Sequence, residues 1–315
     1  MVNHILLMVN IHRAKILKAL RARGDYVSGE VLSKELGISR VSVWKHIRSL
    51  GQQGYVLDSS PRGYRLTFAP DLLLPYELPG WEQETRHFQE IDSTMDEARR
   101  LAKAGAGEGV VVVAESQTHG RGRLSREWSS PRGGIYCTLL LRPQLAPAYA
   151  PRINLMASVA VARAIRRLFG LPAELKWPND VLIGGRKVCG ILSEMEAETD
   201  AIKYVNVGIG INVNSSVSQS GATSVSDQLG RNISRKELLT AVLEEISEQQ
   251  RLLTRVDLLD EWRKLSATLN RNVRIAAFGE EIEGKAVDID ANGALVVRCR
   301  DNSLRNILAG DCFHL

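Results

Sequence analysis

The sequence predicts an α+β chain of three units: a winged helix-turn-helix at the front, a mixed-sheet domain in the middle and a small SH3-like β-barrel at the end. Three observations carry this prediction. Helical spacing and a turn glycine crowd into the front of the chain, apolar strand-like runs alternate with long helical patterns through the centre, and the last stretch holds only short strand patterns between glycine and asparagine turns. With 315 residues, 44% hydrophobic and 24% charged, the chain is long enough for more than one core and lies outside disordered and collagen-like composition. The divisions follow as domain 1–66, linker 67–82, domain 83–268 and domain 269–315.

Within 11–23, Ile16, Leu17 and Leu20 recur at helical intervals, and Gly24 stops the helix. A second helix spans 29–36, Gly37 turns the chain, and Ser39 caps a third helix whose apolar face is Val43, Ile47 and Leu50. The opposite face carries Arg40, Ser42, Lys45, His46 and Arg48. Two short strands, 55–57 and 64–67, flank a turn with Arg62 at its tip, which makes a wing. Residues 1–66 hold 11 Lys and Arg against 4 acids and the remainder holds 30 against 32, so the basic excess behind the net charge of +5 belongs to the first domain alone. A polyanion partner is implied, and with this motif the partner is DNA, read by Arg40, Ser42, Lys45, His46, Arg48 and Arg62. The competing reading is a helical bundle with a solvated basic face. Trp44 reads as a core residue. The 67–80 stretch, with Pro70, Pro75, Pro79 and Gly80, reads as a connector.

The apolar residues 5–9 fall far short of the ~20 that a membrane span requires, and no basic segment precedes them. A cytoplasmic protein with no membrane partner is expected, and Met8 is an alternative start. Cys137, Cys189, Cys299 and Cys312 lack the paired spacing of a zinc site and read as reduced, structural residues. No metal held by protein side chains is expected.

In the central domain Ser93 precedes Thr94, Met95, Asp96 and Glu97 and reads as a helix cap with acids in the first turn. The apolar run 110–114 then empties into a loop containing Gln117, Gly120, Arg121, Gly122, Arg123, Arg126 and Trp128. Its glycines let backbone N–H groups approach an anion, and its arginines supply charge. Alone, such a loop is equally a nucleic-acid contact or a solvated surface. No P-loop pattern is present, and Gly208 with Gly210 lacks the third glycine of a dinucleotide site, which removes the two commonest phosphate motifs. Farther on, one strand ends in Lys176, Trp177, Pro178, Asn179 and Asp180, a Gly184-Gly185 hairpin leads to Lys187 and Gly190, and another strand carries Gly208, Gly210 and Asn212.

Taken in order, Ser93-Thr94, the loop 117–123, and the segments 176–180, 186–192 and 208–212 resemble the biotin protein ligase family. The helix-turn-helix in front and the small β domain behind extend the resemblance over the whole chain, to bifunctional ligase-repressors. It implies a class II synthetase-like central fold and a two-step reaction. Biotin and ATP give biotinyl-5'-AMP and pyrophosphate, with Mg²⁺ accompanying ATP, and a lysine of the biotin carboxyl carrier protein then takes the biotinyl group. By this match Ser93, Thr94, Met95, Gln117, Gly120, Arg121, Gly122, Arg123, Lys187 and Gly190 contact biotin. Arg123, Arg126, Trp128, Asn179, Lys187 and Asn212 face the adenylate. Two anions must meet, so Lys187, Arg123 and Arg121 are the catalytic candidates. Asp180 either helps orient the metal or the acceptor lysine or simply caps its turn. The resemblance also implies a ligand-promoted homodimer on operator DNA. Two departures stand out: Met95 replaces an asparagine common in the family, and Leu124-Ser125 replaces a more basic or glycine-containing pair. His119 reads as a tolerated variant.

Ser234 begins a helix bearing Leu238, Leu239, Leu243 and Ile246, and a further helix spans 257–265. Short strands at 273–277, 281–287, 293–298 and 304–308 make the SH3-like unit, for which a purely stabilising cap is the alternative. Two rival functions remain open on the sequence: a lipoate-type ligase, and a non-catalytic regulator that senses a small ligand.

Overall fold

The computed structural model of the protein describes residues 2–217, 219–253, 255, 257–277 and 279–315, with side chains from residue 11 onward. The chain divides into two compact units, Met1–Thr85 and Arg86–Leu315.

The first unit contains α1 (Val2–Arg23), α2 (Gly29–Leu36), α3 (Arg40–Gln52), β1 (Val56–Ser60) and β2 (Gly63–Phe68). Helix α1 begins well before the expected residue 11, because no glycine or proline interrupts the run from Val2. Ser28 caps α2 by accepting from the Val31 N–H at 3.2 Å, Gly37 ends it with φ of 68°, and Ser39 caps α3 by accepting from the Ser42 N–H at 3.1 Å. These three residues build the turn between the helices. Ile16, Leu17, Leu20, Leu32, Val43, Ile47 and Leu50 bury into one core. The wing strands pair antiparallel with Ser60 opposite Gly63. Gly63 has φ of 128°, and a Cβ there would lie 2.1 Å from the Val27 carbonyl, so only glycine fits.

This unit also takes in part of the stretch read as a connector. Leu74 and Tyr76 join the helical core. The Glu77 carboxylate accepts from Arg21 at 2.6 Å and from the Tyr55 hydroxyl at 2.5 Å. Trp44, expected inside, is instead 47% exposed, because its position on α3 lies at the flank of the Val43, Ile47 and Leu50 stripe, turned to solvent.

The second unit runs through β3 (Thr85–Phe88), α4 (Thr94–Lys103), β4 (Val111–Ala114), β5 (Ile135–Leu141), α5 (Pro151–Phe169), β6 (Ala173–Lys176), β7 (Asp180–Ile183), β8 (Arg186–Ala197), β9 (Ile202–Ile211), α6 (Val225–Leu229), α7 (Arg235–Gln250) and α8 (Asp257–Leu265). The strands form one seven-stranded sheet in the order β3-β4-β5-β9-β8-β7-β6. Neighbours from β4 to β6 pair antiparallel, and Ile91, just past β3, bridges Gln117 in parallel, so the sheet is mixed. Helix α5 lies on β6 to β9 and packs against α7 and α8. Its Ala157, Ala160, Val161, Ala162 and Ala164 are fully buried, and their small side chains permit close approach.

The chain ends in β10 (Asn272–Ala277), β11 (Glu280–Ile289), β12 (Leu295–Cys299), β13 (Leu304–Ile307) and β14 (Asp311–His314), an antiparallel sheet ordered β13-β12-β11-β10-β14. Strand β14 escaped the sequence reading, since its four residues bury only Cys312 and leave too short an alternation to see. Among the described residues no helix is long and apolar enough to cross a membrane. All four cysteines are free, and burial pushes the Cys137 thiol up to about 12.

Candidate functional site

Strand β4 hands the chain to the glycine-rich loop at Glu115, and the chain re-enters the sheet at β5. Both ends of the loop are tied to one buried guanidinium. Arg235, from α7, donates to Glu115 at 2.8 Å and to the Gly134 carbonyl at 2.9 Å, while His87 Nε2 lies 2.9 Å from the other Glu115 oxygen. Gly120 sits where a Cβ would come within 2.3 Å of the Trp128 carbonyl, and the Gly122 N–H donates to the Arg126 carbonyl at 2.7 Å, folding the loop onto itself. At its tip Leu124 and Ser125 have φ of 54° and 58°. The departure from a glycine-containing pair thus falls on two left-handed positions, where each non-glycine residue costs about 1 kcal/mol or more.

The loop walls a cavity of about 220 Å³. Ser93, Thr94, Met95, Gln117, Arg121, Gly122, Arg123, Arg126, Trp128, Asn179, Asp180, Lys187 and Gly190 all line it, so sequence positions 100 apart converge there. Gly120 and Asn212 do not. Gly120 supports the loop from outside, and Asn212 lines a smaller adjoining hollow shared with Trp128 and Lys187, where its Nδ2 donates to the Thr223 carbonyl at 3.2 Å.

One end of the cavity is neutral and hydrogen-bonding. Thr138 Oγ1 donates to Thr94 Oγ1 at 2.9 Å, and Gln117 Oε1 accepts from the Thr94 N–H at 2.8 Å and from its hydroxyl at 3.1 Å. Gln117 Nε2 in turn donates to Ser130 Oγ at 2.9 Å. Ser93 occupies the N-cap of α4 without capping it, and among the described residues its buried hydroxyl has no partner, which leaves it able to bond a polar ligand atom.

The other end is cationic. Lys187 Nζ lies 2.7 Å from Asp180 Oδ1 and 5.3 Å from the centre of the Trp128 ring. Arg123 donates to Asn179 Oδ1 at 3.2 Å and, through both terminal nitrogens, to the Gly310 carbonyl at 3.1 Å. Burial pushes its guanidinium below the ordinary value, with Asp311 and Asp180 opposing that effect. Arg126 pairs with Asp311. Arg121 is differently placed, clamped by Asp96 at 2.7 Å and Glu194 at 2.5 Å. Five cationic side chains, counting Lys176, line the cavity against Glu127, Asp180 and Asp311, so it suits an anionic ligand.

Sequence reasoning singled out Gly208 and Gly210 without assigning them to the site, whose floor they form, and missed one wall. Gly208 and Gly210 share a face of β9, where a Cβ would meet Met95 Sδ at 2.7 Å and Trp128 Nε1 at 2.4 Å. Alternating glycines in a strand were the available signal. Asp311 and the Gly310 carbonyl come from the undetected strand β14 and carried none.

In the first unit Arg40, Lys45 and Arg48 are exposed along α3. Ser42 Oγ lies 3.0 Å from Ser39 Oγ, and His46 packs edge-on against His12, which with burial lowers its pKa. Arg62, at the wing tip, pairs with Asp25 at 2.7 Å.

The biotin/lipoate A/B protein ligase family matches residues 87–212, an HTH domain matches 12–65, and the biotin protein ligase C-terminal domain matches 268–315. The chain is 37% identical over 310 residues to the bifunctional ligase/repressor BirA of Bacillus spizizenii, covering 92% of this chain and 94% of that protein. It is 31% identical over 308 residues to the bifunctional ligase/repressor BirA of Escherichia coli, covering 94% and 95%. A biotin protein ligase from Aquifex aeolicus, solved in complex with biotin and ATP, superimposes with a TM-score of 0.64 at 29% identity, covering 74% of this chain and 98% of that one. With all three domains matched and both relatives aligned nearly end to end, the chain belongs to the biotin protein ligase family, in its bifunctional ligase/repressor form.

Proposed function

We propose that the cavity activates biotin with ATP and then passes it to a lysine of the biotin carboxyl carrier protein. Biotin lies at the end formed by Ser93, Thr94, Met95, Gln117 and Gly190, beneath the 120–123 turn. The adenylate lies toward Arg126, Trp128, Asn179 and Asn212. Arg123 and Lys187 stand where the two meet, and their convergence on one cavity from a loop and from β8 is the observation that carries the reading.

A biotin carboxylate oxygen forms a bond to the α-phosphorus as the bond to pyrophosphate breaks. Negative charge gathers on the phosphoryl oxygens in the transition state, and fixed cations act most strongly there. Neither Lys187 nor Arg123 has to exchange a proton. In the second step a neutral lysine amine attacks the biotinyl carbonyl, AMP departs and the nitrogen loses a proton. Trp128, lying over Gly210 beside Lys187, excludes water that would hydrolyse the mixed anhydride. Asp180 fixes the position of Lys187 Nζ. Mg²⁺ accompanying ATP would be held chiefly by phosphate oxygens and would screen their charge, with Asp180 the cavity carboxylate that would help orient it.

The first unit binds operator DNA through α3 and the wing. A homodimer fits the sheet. Strand β8 runs to Ala197 while β7 pairs it only as far as Gly190, so beyond Ile191 no strand pairs this edge among the described residues, and Met195 is exposed. An open antiparallel edge pairs with its own copy about a two-fold axis.

Transfer of radiolabelled biotin to a carrier domain, run beside lipoate, tests the enzyme. Labelling by biotin alone is expected. Labelling by lipoate alone reassigns the substrate, and no transfer with either leaves a non-catalytic regulator.

A further inference from the structure

Helix α3 has two apolar faces where a surface helix ordinarily has one. Val43, Ile47 and Leu50 are buried. Val41 and Trp44, three residues apart on the solvent-facing side, are 62% and 47% exposed. Arg48 continues that stripe one turn on and holds its guanidinium 5.5 Å from the Trp44 ring centre. Together with Arg40, the two apolar side chains form one wall of a groove whose facing wall is Ser59, Ser60 and Pro61 of the wing.

The charge of the surrounding surface says what covers this stripe. Arg40, Lys45 and Arg48 flank it, and the 11 basic residues of 1–66 outnumber the 4 acids. One acid, Glu30, lines the groove, and the excess of cations around it leaves a surface that fits a polyanion which also offers an apolar group. Duplex DNA has one such group in its major groove, the C5-methyl of thymine, and the N-terminal half of a recognition helix lies nearest the base edges.

We propose that Val41 and Trp44 form an apolar reading site for thymine methyl groups in the operator. The proposal rests on the DNA-binding reading of the first unit and adds the chemistry by which bases are told apart. Arg40 and Lys45 supply phosphate contacts that set the register without carrying sequence information.

The test uses the full chain with biotin and ATP present, and duplexes that it selects from a random pool. In a selected site each thymine is replaced singly by deoxyuridine, which lacks only the methyl. Affinity is expected to fall about fourfold at two thymines, the value for burying one methyl group. Val41→Ala removes the difference between thymine and uracil at one of these positions and Trp44→Ala at the other. Lys45→Ala weakens both duplexes equally and reduces their salt dependence. Selected sites with no fixed thymine, equal binding of uracil duplexes, or a methyl effect that persists in both alanine variants overturns the proposal while DNA binding stands. If no duplex is selected at all, the DNA-binding reading falls with it.

Discussion

Lys187 Nζ lies 2.7 Å from Asp180 Oδ1, the two side chains projecting from neighbouring antiparallel strands into the same cavity. Both are partly shielded, and the carboxylate holds the ammonium at the cationic end of the cavity. Asp180→Asn keeps the shape and removes the charge that fixes Lys187. Pyrophosphate release should fall ~10- to 100-fold through lost positioning, with biotin affinity changed less than about threefold. Single-turnover kinetics beside biotin titration separates the two, and an equal loss in both would assign Asp180 to biotin binding instead.

Gly210 leaves room for the Trp128 indole. A Cβ at this position would lie 2.4 Å from Nε1, a rigid ring atom without a hydrogen-bond partner among the described residues. Gly210→Ala should cost about 1–3 kcal/mol of stability by overpacking. Adding Trp128→Ala should recover most of that loss, because the two changes share one contact. Additive losses in denaturant unfolding would show that the indole does not occupy this shelf.

The Glu115, Arg235 and His87 cluster makes a different demand. Glu115 and Arg235 are 2% and 4% exposed. Arg235→Ala leaves a carboxylate buried without its guanidinium, which costs about 3–5 kcal/mol. Glu115→Gln in the same chain should return part of this. Urea unfolding of the three variants gives the comparison, and a loss below about 1 kcal/mol for Arg235→Ala would mean that water reaches the site.

His314 couples the last strand to the cavity. Its Nε2 lies 3.0 Å from Thr268 Oγ1, which accepts from the Trp177 N–H at 3.0 Å. Burial, then Lys176 and Arg271, pushes its pKa from 6.5 down to about 4. Between these values the unfolded chain holds a proton that the folded chain does not, so stability is lost as pH falls from 6.5 toward 4. The melting temperature should therefore decline more steeply across this window for the native chain than for His314→Gln. Parallel slopes would remove His314 from the account.

The helix-turn-helix was legible because its signals are local: Gly37 and Ser39 each act on a backbone group within a few residues, while the Ser28 cap of α2 went unread. The order of motifs likewise gathered most of the cavity, since strand ends and glycine loops announce themselves. What stayed hidden depends on distance or direction. Asp311 reaches Arg126 from 185 positions away on a strand of four residues. Trp44 was assigned to the core by residue type, yet helix phase puts it outside. Arg121 looked like Arg123 in the loop, but Asp96 and Glu194 claim its guanidinium, a pairing fixed only when α4 and β8 come together.

The central claim is that Lys187 and Arg123 let two anions touch. Pyrophosphate release from biotin and ATP by Lys187→Ala, with far-UV circular dichroism confirming its fold, tests this most directly. A fall of ~10²- to 10³-fold is predicted for loss of one transition-state cation. A rate equal to that of the native chain would contradict the mechanism.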